Sequence, residues 1–143
     1  MRAKTMTWAA ALAAIAATAG CGLTGSEPSE PAQQSGTISI GDKSQPTKSV
    51  KCTQTDWTLS ITAQGDPGTA RAMLQLGGQR PEVRTVAIEN IDGLSGVSGG
   101  VVGKAEASLE GSSVYTITGT ARVTDSAQPS QTSDMPFTIE APC

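Results

Sequence analysis

The stretch from residue 115 to residue 123 reads YTITGTARV, and its alternation decides the fold class. Tyr115, Ile117 and Ala121 fall on one face of an extended chain, and the intervening threonines fall on the opposite face. A period of two residues is typical of a β-strand with one buried face, whereas a helix would repeat about every 3.6 residues. The segment therefore predicts a half-buried strand.

The same alternation recurs in seven further segments, separated by turn sequences such as Gly65-Asp66-Pro67-Gly68. Seven or eight short strands at this spacing predict an antiparallel sandwich or a half-open barrel. Residues 69–76 are predicted to form a strand from their alternation. Because they also contain good helix formers, one short helix is the alternative there. The alternating positions of these segments are Ile38, Ile40; Val50, Cys52; Trp57, Leu59, Ile61, Ala63; Ala72, Leu74, Leu76; Val86, Ile88; Ala105, Ala107, Leu109; and Phe137, Ile139, Ala141.

Residues 1–20 have the pattern of an export signal, a short basic start followed by an Ala-rich apolar stretch too short to span a bilayer as a mature helix. The stretch ends at Thr18-Ala19-Gly20-Cys21, which resembles the lipobox of bacterial lipoproteins, although the lipobox usually has an aliphatic residue in place of Thr18. We predict cleavage between Gly20 and Cys21 and lipidation of Cys21. The alternative is an ordinary secretory signal that is cut near Ala19.

Residues 21–36 form a predicted flexible tether, and residues 37–143 form the β-rich domain. The tether is rich in Gly, Ser, Pro, Glu and Gln, and it has too few apolar side chains to offset the entropy of ordering. Thr24 and Ser26 are candidate acceptors for attached sugars, although a plain linker is the preferred interpretation.

The charge balance limits the partners of the mature chain. Loss of Arg2 and Lys4 with the signal leaves 8 basic and 13 acidic residues, a formal charge of −5. This charge argues against nucleic acid as a partner and against electrostatic binding to an anionic membrane. The predicted contact with the bilayer is therefore made by acyl chains on Cys21, which places the domain on the extracytoplasmic face of the cell membrane.

Two further cysteines, Cys52 and Cys143, are predicted to form a disulfide, because the predicted setting is oxidising. Cys52 shares its strand face with Val50, and Cys143 continues the face of Ile139 and Ala141. This parity predicts that both sulfur atoms point into the core.

Catalysis is not predicted, because the chain has no histidine to act as a general base. Residues 96–100 fit the hydrolase pattern G-x-S-x-G around Ser98, yet no helix pattern follows, and residues 93–103 are better interpreted as a flexible loop leading into a strand. No cofactor motif is found. The aspartates lie at or near predicted turns, where such residues cap the backbone, so no metal site is predicted.

A binding function is harder to exclude. Small side chains at Ala105, Ala107, Gly119 and Ala121 are candidates for the lining of an apolar groove that holds a lipid. The plainer interpretation is that these positions are small because two layers pack closely there.

Five segments of the domain are distinctive when they are taken together, namely residues 49–52 (SVKC), 80–83 (RPEV), 86–90 (VAIEN), 115–121 (YTITGTA) and 137–143 (FTIEAPC). With the lipobox and the tether before them, they resemble the mycobacterial 19 kDa lipoprotein antigen family, in the same order from about Ile38 to Cys143. The resemblance implies a triacylated, surface-accessible envelope protein that is recognised by host Toll-like receptor 2 through its acylated N-terminus. It also implies a role in ligand transport or adhesion, so a lipid carrier is the alternative function. The tether is more acidic than is typical of that family.

Overall fold

The computed structural model describes residues 35–143, and this part of the chain is built from strands. No helix occurs within it, and thus none that is long and apolar enough to cross a bilayer. The prediction of a mainly β domain is confirmed, and the segment with two interpretations is the strand β5. The strands are β1 (Thr37–Ile40), β2 (Lys43–Pro46), β3 (Ser49–Thr55), β4 (Thr58–Gln64), β5 (Thr69–Gln75), β6 (Glu82–Ile91), β7 (Leu94–Ser98), β8 (Lys104–Glu110), β9 (Val114–Asp125) and β10 (Gln128–Pro142).

The predicted signal peptide and lipidation site lie outside the described residues. The same holds for Gly20, Thr24 and Ser26 and for all of the predicted tether except its last two residues. Cleavage, acylation and glycosylation at these residues therefore stay predictions.

All ten strands belong to one antiparallel sheet, in the order β2-β1-β10-β9-β7-β6-β5-β4-β3, with β8 paired to β9 beside this path. Thr47 and Lys48 alone separate β2 from β3, the strands at the two opposite ends of that order. Because a link of two residues reaches at most about 11 Å, the ends of the sheet must meet. The sheet is therefore curled into a half-barrel.

The core fills the inside of the curl, with alternate residues of each strand pointing inward. Val, Ile, Leu and Ala dominate it, and Phe137 is its one aromatic side chain among the buried residues described. The buried apolar residues are Ile38, Ile40, Leu59, Ile61, Ala63, Ala70, Ala72, Leu74, Val86, Ile88, Ile91, Leu94, Ala107, Ile117, Ala121, Val123, Phe137, Ile139 and Ala141.

Two strands were not predicted. β2 reads KSQP and has no apolar alternation, because its inward position is occupied by Gln45, whose side-chain oxygen accepts a hydrogen bond of 2.8 Å from the Gly68 N–H. β7 lies inside residues 93–103, so the prediction of a flexible loop there was wrong. Its middle residue, Gly96, faces the Ile40 and Val123 side chains so closely that a Cβ atom would lie 3.0–3.1 Å from them.

The predicted disulfide between Cys52 and Cys143 is confirmed, with the two Cα atoms 5.7 Å apart. It joins β3 to the residue that follows β10. The expectation that both sulfur atoms point into the core was wrong for Cys143, which is exposed, whereas half-buried Cys52 packs against the core. Cys143 lies beyond the last paired residue of β10, where its N–H donates to the Ser113 carbonyl at 2.6 Å, so the bond sits at the rim of the curl.

Trp57 also differs from its predicted place in the core. It lies in the turn between β3 and β4 and is 64% exposed. Its backbone is held there, because its carbonyl accepts hydrogen bonds from the Leu76 N–H and from the Gln75 side chain.

Candidate functional site

The candidate site is a cleft beside β8, and the pairing of β9 explains why it exists. One edge of β9 pairs with β10 almost from end to end. Its other edge is shared, since β7 pairs with residues 122–125 and β8 pairs with residues 114–120. β7 and β8 therefore follow one another along the same edge, and β8 lies where β7 has already ended.

β6 is longer than β7 and extends past it toward β8. Residues 86–91 of β6 pair with β7, whereas residues 82–85 pair with β5 and, within the described chain, with no strand on their other side. β8 likewise pairs with β9 alone among the strands described. The free edge of β8 and the first four residues of β6 thus lie on opposite sides of one opening.

This opening is a cleft of about 730 Å³, which we call the β8 cleft. The segment before β6 and the start of β6 form one wall, and β8 with the outer face of β9 forms the other. Its lining residues are Gln79, Arg80, Pro81, Glu82, Val83, Ala105, Glu106, Ala107, Ser108, Leu109, Thr116 and Thr118.

Glycines shape the connection from β7 to β8, which precedes the β8 wall of the cleft in the chain. Gly99 has a φ of 118° and packs on the Arg84 carbonyl, where a side chain would collide with the backbone. Gly103 has a φ of 68° and packs in the same way on the Thr120 carbonyl. Since positive φ favours glycine, this run of glycines lets the chain leave β7 and restart as β8.

Two of the four predicted groove residues, Ala105 and Ala107, line the β8 cleft. Gly119 and Ala121 do not. Gly119 packs against the Lys104 carbonyl oxygen and the Ala105 Cα atom, and Ala121 is fully buried beside Gly96. At Gly119 and Ala121 the small side chains permit close packing, and the cleft lies along a strand edge rather than between two layers.

Sequence reasoning missed the other wall, Arg80 to Val83, and the outer threonines Thr116 and Thr118. A lining of this kind depends on which strand lacks a neighbour, and that is a property of the whole sheet. The one local signal is the Gly77-Gly78 turn before Arg80, which takes the chain away from β5 before β6 begins.

The charges in the cleft are Arg80, Glu82 and Glu106. Glu82 pairs with Arg84 at 3.3 Å on the exposed surface. Away from the cleft, at the β4–β5 turn, a hydrogen bond from Lys48 and the positive charge of Lys48 lower the pKa of exposed Asp66 from its ordinary value.

Ser98, the candidate nucleophile of the G-x-S-x-G pattern, has a structural contact. Its hydroxyl is buried and donates to the Thr120 carbonyl at 2.9 Å, which ties the end of β7 to β9. Within residues 35–143 no group of three His, Cys, Asp or Glu side chains could hold a metal ion.

Comparison with known proteins then decides the family. The sequence model of the family described as Mycobacterium 19 kDa lipoprotein antigen matches residues 29–143. The chain belongs to this family. The family resemblance seen in the sequence is thereby confirmed.

Individual members of the 19 kDa lipoprotein antigen family are similar over much of the domain. Lipoprotein LpqH from Mycobacterium avium is 39% identical over 97 residues, which cover 66% of this chain and 59% of that protein. Lipoprotein LpqH from Mycobacterium tuberculosis is 38% identical over 99 residues, or 68% of this chain and 61% of that protein. A putative lipoprotein from Mycobacterium avium subsp. hominissuis is 30% identical over 108 residues, covering 75% of this chain and 74% of its own length. The match thus spans less than two thirds of the LpqH proteins.

Proposed function

We propose that this chain is a non-enzymatic lipoprotein of the mycobacterial envelope, anchored by acyl chains on Cys21 with its β-domain on the extracytoplasmic face. Membership of a lipoprotein antigen family, which rests on the match over residues 29–143, is the observation that carries this proposal. The small residues that lead into Cys21 supply the expected lipidation site.

Anchoring by lipid is consistent with the charge of the mature chain. A formal charge of −5 is repelled by anionic headgroups, so attachment has to come from another source. Each buried CH₂ of an acyl chain contributes about 0.8 kcal/mol, and two or three chains hold a protein on a bilayer almost permanently.

Recognition by Toll-like receptor 2 is the second part of the proposal. The agonist is the acylated N-terminus, namely the lipid on Cys21 and the residues directly after it. In this proposal the folded domain contributes no chemistry to that recognition.

A carrier of lipid inside the curl has weaker support. Ile38, Ile117 and Ile139 face the interior with exposures of 0–1%. Core side chains therefore occupy the space inside the curl. The β8 cleft is the opening that remains, and charged residues such as Arg80, Glu82 and Glu106 contribute to its lining.

The decisive experiment labels the full chain with palmitate in a mycobacterial host. We expect label in the wild-type protein and none in Cys21→Ala, which should also leave the detergent phase and lose activity on a Toll-like receptor 2 reporter cell. Ser112→Ala is the control, because it changes a small exposed residue in the turn after β8, leaves the disulfide intact and should keep both label and reporter activity. Equal label in Cys21→Ala would refute the anchor.

A further inference from the structure

The free backbone of β8 is the starting point. In an antiparallel pair, every second residue directs its N–H and C=O to the neighbouring strand, and the others direct theirs to the opposite side. β8 has seven residues, all paired with β9. Within residues 35–143 no strand receives the groups on its other side, and these groups face the β8 cleft.

The opposite wall has the same property over residues 82–85 of β6, whose edge away from β5 also lacks a strand. β8 presents its free N–H and C=O groups at the regular spacing of a β-ladder, whereas the β6 wall has a register shift between Val83 and Thr85. Polypeptide in an extended conformation is the ligand class that matches this spacing with its own alternating donors and acceptors. An acyl chain would leave the same groups without partners, which costs free energy.

The side chains along the cleft define what such a peptide should carry. Ala105 and Ala107 share a face with the buried Ile117, and half-buried Val83 lies across the opening. These residues are small, so they leave room for apolar side chains on the inner face of an added strand. Every second residue of the peptide should therefore be apolar.

The outer face of β8 carries negative charge. Glu106 and Glu110 lie on it with Lys104, and within the described chain neither glutamate takes part in an ion pair. Basic residues on the outer face of an added strand would lie opposite these carboxylates, and opposite charges on facing strands are favourable.

We propose that the β8 cleft binds an extended peptide, which adds to β8 as a further antiparallel or parallel strand and alternates apolar with basic residues. The proposal goes beyond the lipid anchor and does not depend on it, since it concerns the folded domain alone. It assigns the folded domain a role in binding a polypeptide partner.

The test uses the full chain in detergent and a capped heptapeptide of alternating Val and Lys. Hydrogen exchange read by mass spectrometry should slow in residues 104–110 when the peptide is added, because new hydrogen bonds cover the free edge. Two further peptides carry N-methyl groups on either the odd or the even residues, which removes donors from one edge of the peptide at a time. At least one of them should bind more weakly by about tenfold or more.

A variant distinguishes peptide binding in the cleft from nonspecific binding elsewhere on the surface. Ser108→Trp puts a bulky side chain into the cleft at an exposed position and should also weaken binding by about tenfold or more. Ser112→Trp, in the turn after β8, is the matched control and should bind as the wild type does. The same heptapeptide with Glu in place of Lys should bind more weakly than the basic one.

Several outcomes would overturn the proposal. One is the absence of binding by the basic heptapeptide at millimolar concentration, and another is binding that neither N-methylated peptide weakens. Protection of β8 by lauric acid but by no peptide would assign the cleft to lipid. Protection that grows with protein concentration in the absence of peptide would assign it to a second copy of this chain. Loss of the Cys21 anchor alone would leave all of these peptide results unchanged.

Discussion

Gly119 shows how a single missing side chain keeps β8 on the sheet. Its position is paired with Ala105, and an added Cβ atom would overlap the Lys104 carbonyl and the Ala105 Cα atom. Since both neighbours are backbone, they cannot turn aside as a flexible side chain would. The glycine is required by close approach rather than by an unusual φ.

We predict that Gly119→Ala lowers the free energy of unfolding by about 1–3 kcal/mol, because it forces β8 away from β9. Urea denaturation of the full chain in detergent measures this. Gly78→Ala is the control, since a Cβ atom there would have ordinary contact at 3.5 Å with the Arg80 carbonyl oxygen. Equal stability of the Gly119→Ala and Gly78→Ala variants would contradict the packing argument.

For single residues, the alternating pattern identified the buried positions within strands well, but it did not show where a strand ends. The alternation placed Ile117, Ala121 and Phe137 on the buried face, where they lie. It also placed Trp57 there, because parity does not reveal that a strand ends before that residue and a turn begins.

At the scale of elements, β2 could not be recognised from its sequence. The sheet nevertheless needs this strand, because β2 is one of the two ends that meet when the sheet curls. Gln45 fills its inward position with a polar group and hides the apolar alternation. The amide oxygen is satisfied by the buried Gly68 N–H, so a polar residue is tolerated in an otherwise apolar position.

We predict that Gln45→Ala lowers the free energy of unfolding by about 1–3 kcal/mol, because the buried Gly68 N–H loses its acceptor. Gln54→Ala removes a side chain of the same type whose hydrogen bond, to the Asp56 carbonyl, is exposed. Its effect should stay within about 0.5 kcal/mol. Chemical denaturation of the two variants side by side decides the point, and a smaller loss for Gln45→Ala than for Gln54→Ala would contradict it.

The eight predicted strands all exist, since each has a face that reads as alternating apolar residues. β7 was not predicted because Gly96 interrupts its apolar alternation, and a glycine is needed there because Ile40 and Val123 fill the space where a side chain would be. The β8 cleft could not be predicted at all, because no local pattern records which edge of a strand is free.

At the scale of the whole molecule, the part of the chain from residue 35 to residue 143 is a sheet closed by a chain link at one place and by a covalent bond at another. The Cys52–Cys143 bond spans 91 residues, which is nearly the whole described domain. A bond across a loop of this length limits the freedom of the unfolded chain strongly.

We predict that the double variant Cys52→Ala and Cys143→Ala loses about 4–5 kcal/mol of unfolding free energy, the amount expected from loop entropy. Cys21→Ala is the matched control, since it removes a cysteine outside the folded domain and should leave the unfolding midpoint unchanged. A loss below about 1 kcal/mol in the double variant would show that the bond does little for stability.

Adjacency of the domain's first and last strands has a practical consequence for the membrane-anchored protein. Thr37 pairs with Glu140, so anything fused after Cys143 would emerge beside the root of the predicted tether, where the tether joins the domain. A fluorescent tag added there would report the distance between the root and the lipid headgroups, whereas a tag inserted in a distant hairpin would report how far the module reaches outward.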